Sequence, residues 1–299
     1  MNSLISLVKR NIKIFYRTRG NIFFSMLSII ILVALHFAIF RSMYADNWIY
    51  VTSQISGLII ERENLTWIAD SLMFSAIIPL GAVTISLTAI GTMVADKETN
   101  ALSDFLISPI KRGILLTSYL MSSFIIGFTV LSLFIIFFCI YFFVMYGITF
   151  TALQLGLIVM AKIGSLIFAN IFMLLLISFL KKQQSLSTLG SILGTSIGFL
   201  SGAYIPIGMF GDIIGALFSA LPFLQLTVLT RQAFLYEIET ITPLTHEMLT
   251  GEIARNFGME VWFGNNLIST QFTILISGTI TLFLLIGLVI RFSRMKKAD

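Results

Sequence analysis

The sequence predicts an all-α, polytopic membrane protein. Hydrophobic residues make up 57% of the 299 positions and charged residues only 11%, where a soluble domain carries about 25% charged residues. Several stretches run without a charge for about 20 residues, the length needed to cross a bilayer's hydrocarbon core. Lysines and arginines gather on alternate sides of those stretches, as they do in spanning proteins.

The chain opens on LISLVKRNIKIFYRTR. Ile5, Val8, Ile12, Phe15 and Tyr16 recur at helical spacing, with Lys9, Lys13 and Arg17 on another face. Residues 1–20 are therefore expected to form an amphipathic helix at the inner interface. It either anchors only or also docks a cytoplasmic partner.

Six spans follow, expected at residues 21–40, 71–94, 114–145, 153–180, 186–203 and 272–290. The first is too long for the apolar core of a signal peptide and no convincing cleavage pattern follows it, so it is read as uncleaved. Pro79 is expected to bend the second. Between the fifth and sixth, residues 204–270 are mixed. The first half is apolar but broken by Pro206, Asp212 and Pro222, which predicts two short re-entrant helices. The second half, 236–260, is acidic and reads as external.

With both termini inside, 14 lysines and arginines fall on the inner side and four on the outer, Arg41, Arg62, Arg231 and Arg255, leaving Lys162 within the fourth span. This bias orients the chain, and it makes the net charge of +5 a membrane feature rather than a sign of nucleic-acid binding. Asp70 is counted with the outer segments. The one cysteine, Cys139, lies in an apolar run and reads as a buried hydrophobe. With two histidines, His36 and His246, no metal-ligand spacing arises, and His36 reads as a helix contact. No Asp/Glu/His relay repeats through the spans.

Three features stand out locally. The inner loop 95–113 contains a short helix whose Ala101, Leu102, Phe105 and Leu106 line one side, ended by Pro109. Its expected role is a lever, with apolar anchors for a partner's groove and with Lys97, Glu98 and Asp104 setting orientation. Gly190, Gly194, Gly198 and Gly202 recur every fourth residue and predict a close helix contact, within one chain or between two. Lys162 either snorkels outward or touches a substrate path.

The order of these pieces resembles the ABC-2 type permeases, the membrane subunits of ABC exporters. Members have a loop near D-R-E-x-G-T-L-x-x-L-x-x-[ST]-P-[VI]-x-R. Residues 96–112 read DKETNALSDFLISPIKR, with Lys97 for arginine and Asn100-Ala101 for Gly-Thr. The family phrase F-L-S-G-x-x-[FY]-P is approached by Phe199-Leu200-Ser201-Gly202-Ala203-Tyr204-Ile205-Pro206, and a later Pro/Arg pair by Pro222 and Arg231.

The resemblance implies an interface helix at 1–20 and a transmembrane domain over 21–299 with its re-entrant segment in 204–270. It implies a coupling helix built on Asp96, Lys97, Glu98, Leu102, Phe105, Leu106, Ser108 and Pro109. It also implies a bacterial cell membrane, a second permease copy, and two cytoplasmic ATPase subunits holding ATP and magnesium. A hydrophobic or amphipathic substrate (drug, peptide or lipid-like) is then moved outward by alternating access. No G-x-x-x-x-G-K-[ST] loop occurs here, so no catalysis and no cofactor are expected of this chain. Two other readings stay open: a membrane immunity or sensor protein, and a secondary transporter.

Overall fold

The computed structural model describes residues 2–56, 62–108, 110–205, 207–236, 254–255, 257–264 and 266–294. Among the described residues, five helical stretches are long and apolar enough to cross a membrane: Arg19–Tyr50, Thr66–Glu98, Arg112–Tyr146, Ala152–Ser178 and Thr270–Ser293. The chain is an all-α, multi-pass membrane protein.

The bundle is built around α4 (Arg62–Ile90). It packs against α2 (Arg19–Leu35), α3 (Arg41–Ser56), α7 (Arg112–Tyr146), α8 (Ala152–Ser178) and α11 (Pro222–Phe234), and is buried almost continuously from Trp67 to Ile90. Its polar residues suit that position because their hydroxyls bond to backbone. Ser75 donates to the Leu72 carbonyl at 2.8 Å and Thr84 reaches the Ser25 carbonyl of α2 at 3.2 Å. Inside a bilayer no water would satisfy them otherwise.

Small residues let the neighbours close in. A Cβ added at Gly81 would stand 2.8 Å from Leu131 and 2.9 Å from Ile29, and one at Gly127 would stand 2.5 Å from Leu166. Helices α2, α7 and α8 therefore approach at distances that only a missing side chain permits. Thr151 starts α8 with a capping box: its hydroxyl accepts the Gln154 amide, and the Gln154 side chain accepts the Thr151 amide.

The amphipathic N-terminus is α1 (Asn2–Arg17). It docks on α7 and α2 with Leu7, Val8, Asn11 and Phe15 buried, while Ile5, Tyr16 and the basic residues Lys9, Lys13 and Arg17 stay exposed. Its apolar face is thus divided between the bundle and the outside. The first span is longer than the apolar run: α2 passes through a π-helical turn, His36–Phe40, into α3.

After α8 comes α9 (Gln183–Leu200), where the fifth span was expected. Two glutamines and six serines and threonines hold its apolarity below that of the other five. Next, α10 (Gly211–Ser219) and α11 meet at a bend of 80°. A hairpin absent from the sequence reading follows, with β1 (Val261–Phe263) antiparallel to β2 (Asn266–Ile268) and Trp262 opposite Leu267. The last helix is α12 (Thr270–Arg294). Most of the acidic stretch expected outside, 237–253, lies outside the described residues, as does Pro206.

Replacing Gly127 by leucine overfills the α7–α8 contact and is expected to cost about 1–3 kcal/mol, read as a lowered thermal midpoint in detergent. Gly156→Ala, on an exposed turn of α8 with no atom near the added carbon, should instead leave the midpoint unchanged or raise it by the roughly 0.5–1 kcal/mol that alanine gains over helical glycine.

Candidate functional site

The loop between the second and third apolar runs forms a two-helix elbow, α5 (Thr92–Glu98) and α6 (Ala101–Ile107). The turn between them rests on Asn100, whose φ of 61° is left-handed. Asparagine tolerates that region better than other non-glycine residues, so its presence where glycine stands in the resembling pattern keeps the turn. Ser108 closes α6 by donating to the Phe105 carbonyl at 2.7 Å. Pro109 lies outside the described residues.

Three consecutive charges pin α5 to different neighbours. Asp96 accepts both terminal nitrogens of Arg10 from α1, Nη1 at 2.8 Å, and the Tyr119 hydroxyl of α7 at 2.6 Å. These bonds raise the Arg10 pKa further, chiefly through the hydrogen bonds to Asp96. Lys97 Nζ donates to the carbonyls of Ser178 at 2.6 Å, Leu180 at 2.8 Å and Ile177 at 3.3 Å, capping acceptors at and just beyond the end of α8. Glu98 accepts the Gln183 amide at 3.1 Å, placing a negative group at the start of α9, where the helix dipole favours one. Arg112 adds a bond to the Ser293 carbonyl of α12 at 3.1 Å.

The expected anchors divide differently from the sequence reading. Leu102 is 3% exposed and belongs to the chain's own core, because α6 folds back onto the bundle; it is not an outward anchor. Phe105 is half-buried beneath the Arg10 guanidinium, 5.1 Å from its ring centroid. The Leu106 side chain lies outside the described residues. Asp104 is exposed, and Ile107, which the sequence reading passed over, is 69% exposed. Asp96 and Lys97 are likewise committed inside the chain, so they do not point at a partner.

A second polar network lies near the other end of α4. Asp70 is fully buried, inside the Thr66–Glu98 helix. It accepts the hydroxyls of Tyr141 at 2.7 Å and Tyr146 at 2.5 Å, and His36 Nε2 lies 2.6 Å away. Arg41 completes the ring, with Nε 3.3 Å from Asp70 and Nη2 donating to Tyr146 at 2.7 Å. The other ring nitrogen of His36, Nδ1, finds no partner among the described residues. The signal in the sequence was an aspartate at the lip of one apolar run and a histidine inside another. Nothing in their spacing paired them.

The glycine stripe serves contacts within the chain. A Cβ at Gly190 would meet Leu87 at 3.2 Å, one at Gly194 would meet Ser28 at 3.7 Å, and one at Gly198 would enter the Tyr204 ring at 2.1 Å. Gly202 lies beyond the helix, in a turn with φ of 64°. That turn is clasped by Arg231, which is buried and donates to the Gly202 carbonyl at 2.7 Å and to those of Phe257 and Gly258 at 3.0 and 2.9 Å. Arg231 is therefore an internal pin. Lys162 is 2% exposed, bonds Ser132 at 2.8 Å and sits 3.6 Å from the Phe128 ring centroid. It ties α8 to α7. Among the described residues, no three His, Cys, Asp or Glu groups gather as metal ligands.

Asp96→Asn and Arg10→Ala are each expected to loosen α1 by about 1.5–3 kcal/mol, the range for hydrogen bonds to charged groups, toward the lower end because Arg10 is partly exposed. The readout is maleimide labelling of Asn11→Cys, on the buried face of α1: slow with Asp96 and Arg10 intact and faster in both variants. No known family, curated protein or solved structure matches the chain, so the functional reading rests on this geometry and on the sequence resemblance.

Proposed function

We propose that the chain is the membrane subunit of an ATP-driven exporter of the ABC-2 permease type, working as a pair of copies with two separate ATPase subunits. The observation that carries this reading is the elbow. The short helix α5 follows the most buried span and is fixed by Asp96, Lys97 and Glu98 to α1, α8 and α9, and α6 after it leaves Asp104 and Ile107 exposed. Such a lever transmits a push without yielding. The separated motifs of the resemblance also meet in space, since Arg231 holds the carbonyl of Gly202.

In this reading α9 is the fifth of six spans, the 80° pair α10–α11 is the re-entrant hairpin, and both termini are cytoplasmic in a bacterial cell membrane. The substrate is a hydrophobic or amphipathic molecule moved outward. A second reading, an ion-coupled carrier, draws on the buried His36–Asp70 pair, a kind of intramembrane group that often serves ion pathways.

Orientation is checked by labelling single cysteines in a Cys139→Ala background. Lys182→Cys should react only from the cytoplasm and Thr245→Cys only from outside; the opposite pattern overturns the orientation.

Coupling is checked with the parent chain purified from its native membranes. A P-loop ATPase is expected to accompany it and to show substrate-stimulated hydrolysis. Ile107→Asp puts a charge on the exposed apolar contact and should weaken that association tenfold or more, about 1.4 kcal/mol, with insertion intact. Export that needs no ATPase and stops with a protonophore or with Asp70→Asn would replace the exporter by the carrier.

A further inference from the structure

A groove of about 950 Å³ runs between α8, α11 and α12, away from the elbow and from both carboxylate networks. Along α8 it extends from Leu157 to Ile171 and along α12 from Thr270 to Leu285. At 1.5 Å per residue that is about 21 Å on each helix. One leaflet's share of a bilayer's hydrocarbon is roughly 15 Å, so the groove holds a chain that enters at one surface and reaches past the leaflet's depth. Gly164 and Gly278 line it. A carbon added at Gly278 meets no atom within 4 Å, and one at Gly164 meets only Leu226 at 4.0 Å, so these glycines widen the groove and serve no tight helix contact.

The two ends differ in chemistry. Most of the length is apolar, whereas Gln232, Tyr236, Glu260 and Thr270 collect at one end. Gln232 and Thr270 bond each other at 3.0 Å, and the Glu260 carboxylate accepts the Trp262 indole N–H at 3.1 Å. Arg255 lies over the Trp262 ring, 5.6 Å from its centroid, so this end carries both signs of charge as a zwitterionic head does, and Trp262 with Tyr236 makes the aromatic edge common where spans leave the hydrocarbon. An acid at this end favours a head offering N–H donors over one offering only negative charge.

We propose that this groove binds one membrane phospholipid, its acyl chain lying along α8 and α12 and its head, an ethanolamine amine by preference, at Glu260. The occupant comes from the bilayer because both long walls of the groove are membrane-spanning helices. The proposal rests on the chain crossing a bilayer and not on its being an exporter.

The test uses the full chain in nanodiscs containing phosphatidylethanolamine or phosphatidylglycerol with a photoreactive diazirine in the acyl chain, followed by peptide mass spectrometry. Labelling of α8 and α12 along the groove should exceed labelling of exposed apolar residues on α7, such as Leu133 and Phe137, by about fivefold, near 1 kcal/mol. The ethanolamine lipid should label more than the glycerol lipid. Gly278→Phe fills the groove and should bring its labelling down to the α7 level; Gly164→Phe fills the same space and replaces it if Gly278→Phe does not fold. Glu260→Gln should keep the labelling and remove the preference between heads. Equal labelling of α7 and the groove in the parent chain, or unchanged groove labelling in the filled variants, overturns the site. Equal labelling by the two lipids in the parent overturns the head assignment.

Discussion

A helix surrounded by other helices within a membrane can keep a carboxylate only if its neighbours bring the partners. The Thr66–Glu98 helix keeps two, Asp70 and Asp96, and the bundle is organised around meeting that demand. Each aspartate collects an arginine from the N-terminal part of the chain and tyrosine hydroxyls from α7: Arg41 with Tyr141 and Tyr146 at one end, Arg10 with Tyr119 at the other. Removing one partner from such a cluster costs more than the cluster itself contributes, since a buried charge is left uncompensated. The networks therefore specify which helices lie together and at what height, while apolar burial supplies most of the stabilisation.

Their separation has a physical scale. Asp96 stands 26 positions after Asp70, up to about 39 Å along a helix, somewhat more than the roughly 30 Å of hydrocarbon. A separation of that size matches two clusters at opposite boundaries of an apolar layer, where charges cost less. Between them α4 carries hydroxyls that bond back to carbonyls and one glycine, Gly81, against which α2 and α7 close.

Much of this architecture was legible in the sequence. The apolar runs at 114–145, 153–180 and 272–290 foretold α7, α8 and α12 to within a few residues, because hydrophobic length is a local property. Where partners decide, the sequence was silent. The buried position of Asp70, the pairing of His36 with it, and the inward turn of Leu102 all depend on neighbours far along the chain. The glycine stripe was visible as a pattern, but its use was not: Gly198 is small for the Tyr204 ring, a contact made by the chain's own next turn. The polar content of α9 was also in plain view, its two glutamines and six serines and threonines standing among the leucines and glycines of the apolar run.

Lys97 gives the elbow a mechanical character. A planar guanidinium would meet a helix end with a flat fork, whereas the ammonium offers three donors to the three carbonyls of Ile177, Ser178 and Leu180. With Asp96 and Glu98 holding the adjacent positions, α5 is a short rod attached at three points to three separate bodies. A rod so held has no free rotation of its own. Any torque applied to it is shared at once by the ends of α1, α8 and α9, so the elbow behaves as a knuckle that turns with the bundle and not as a hinge that turns against it.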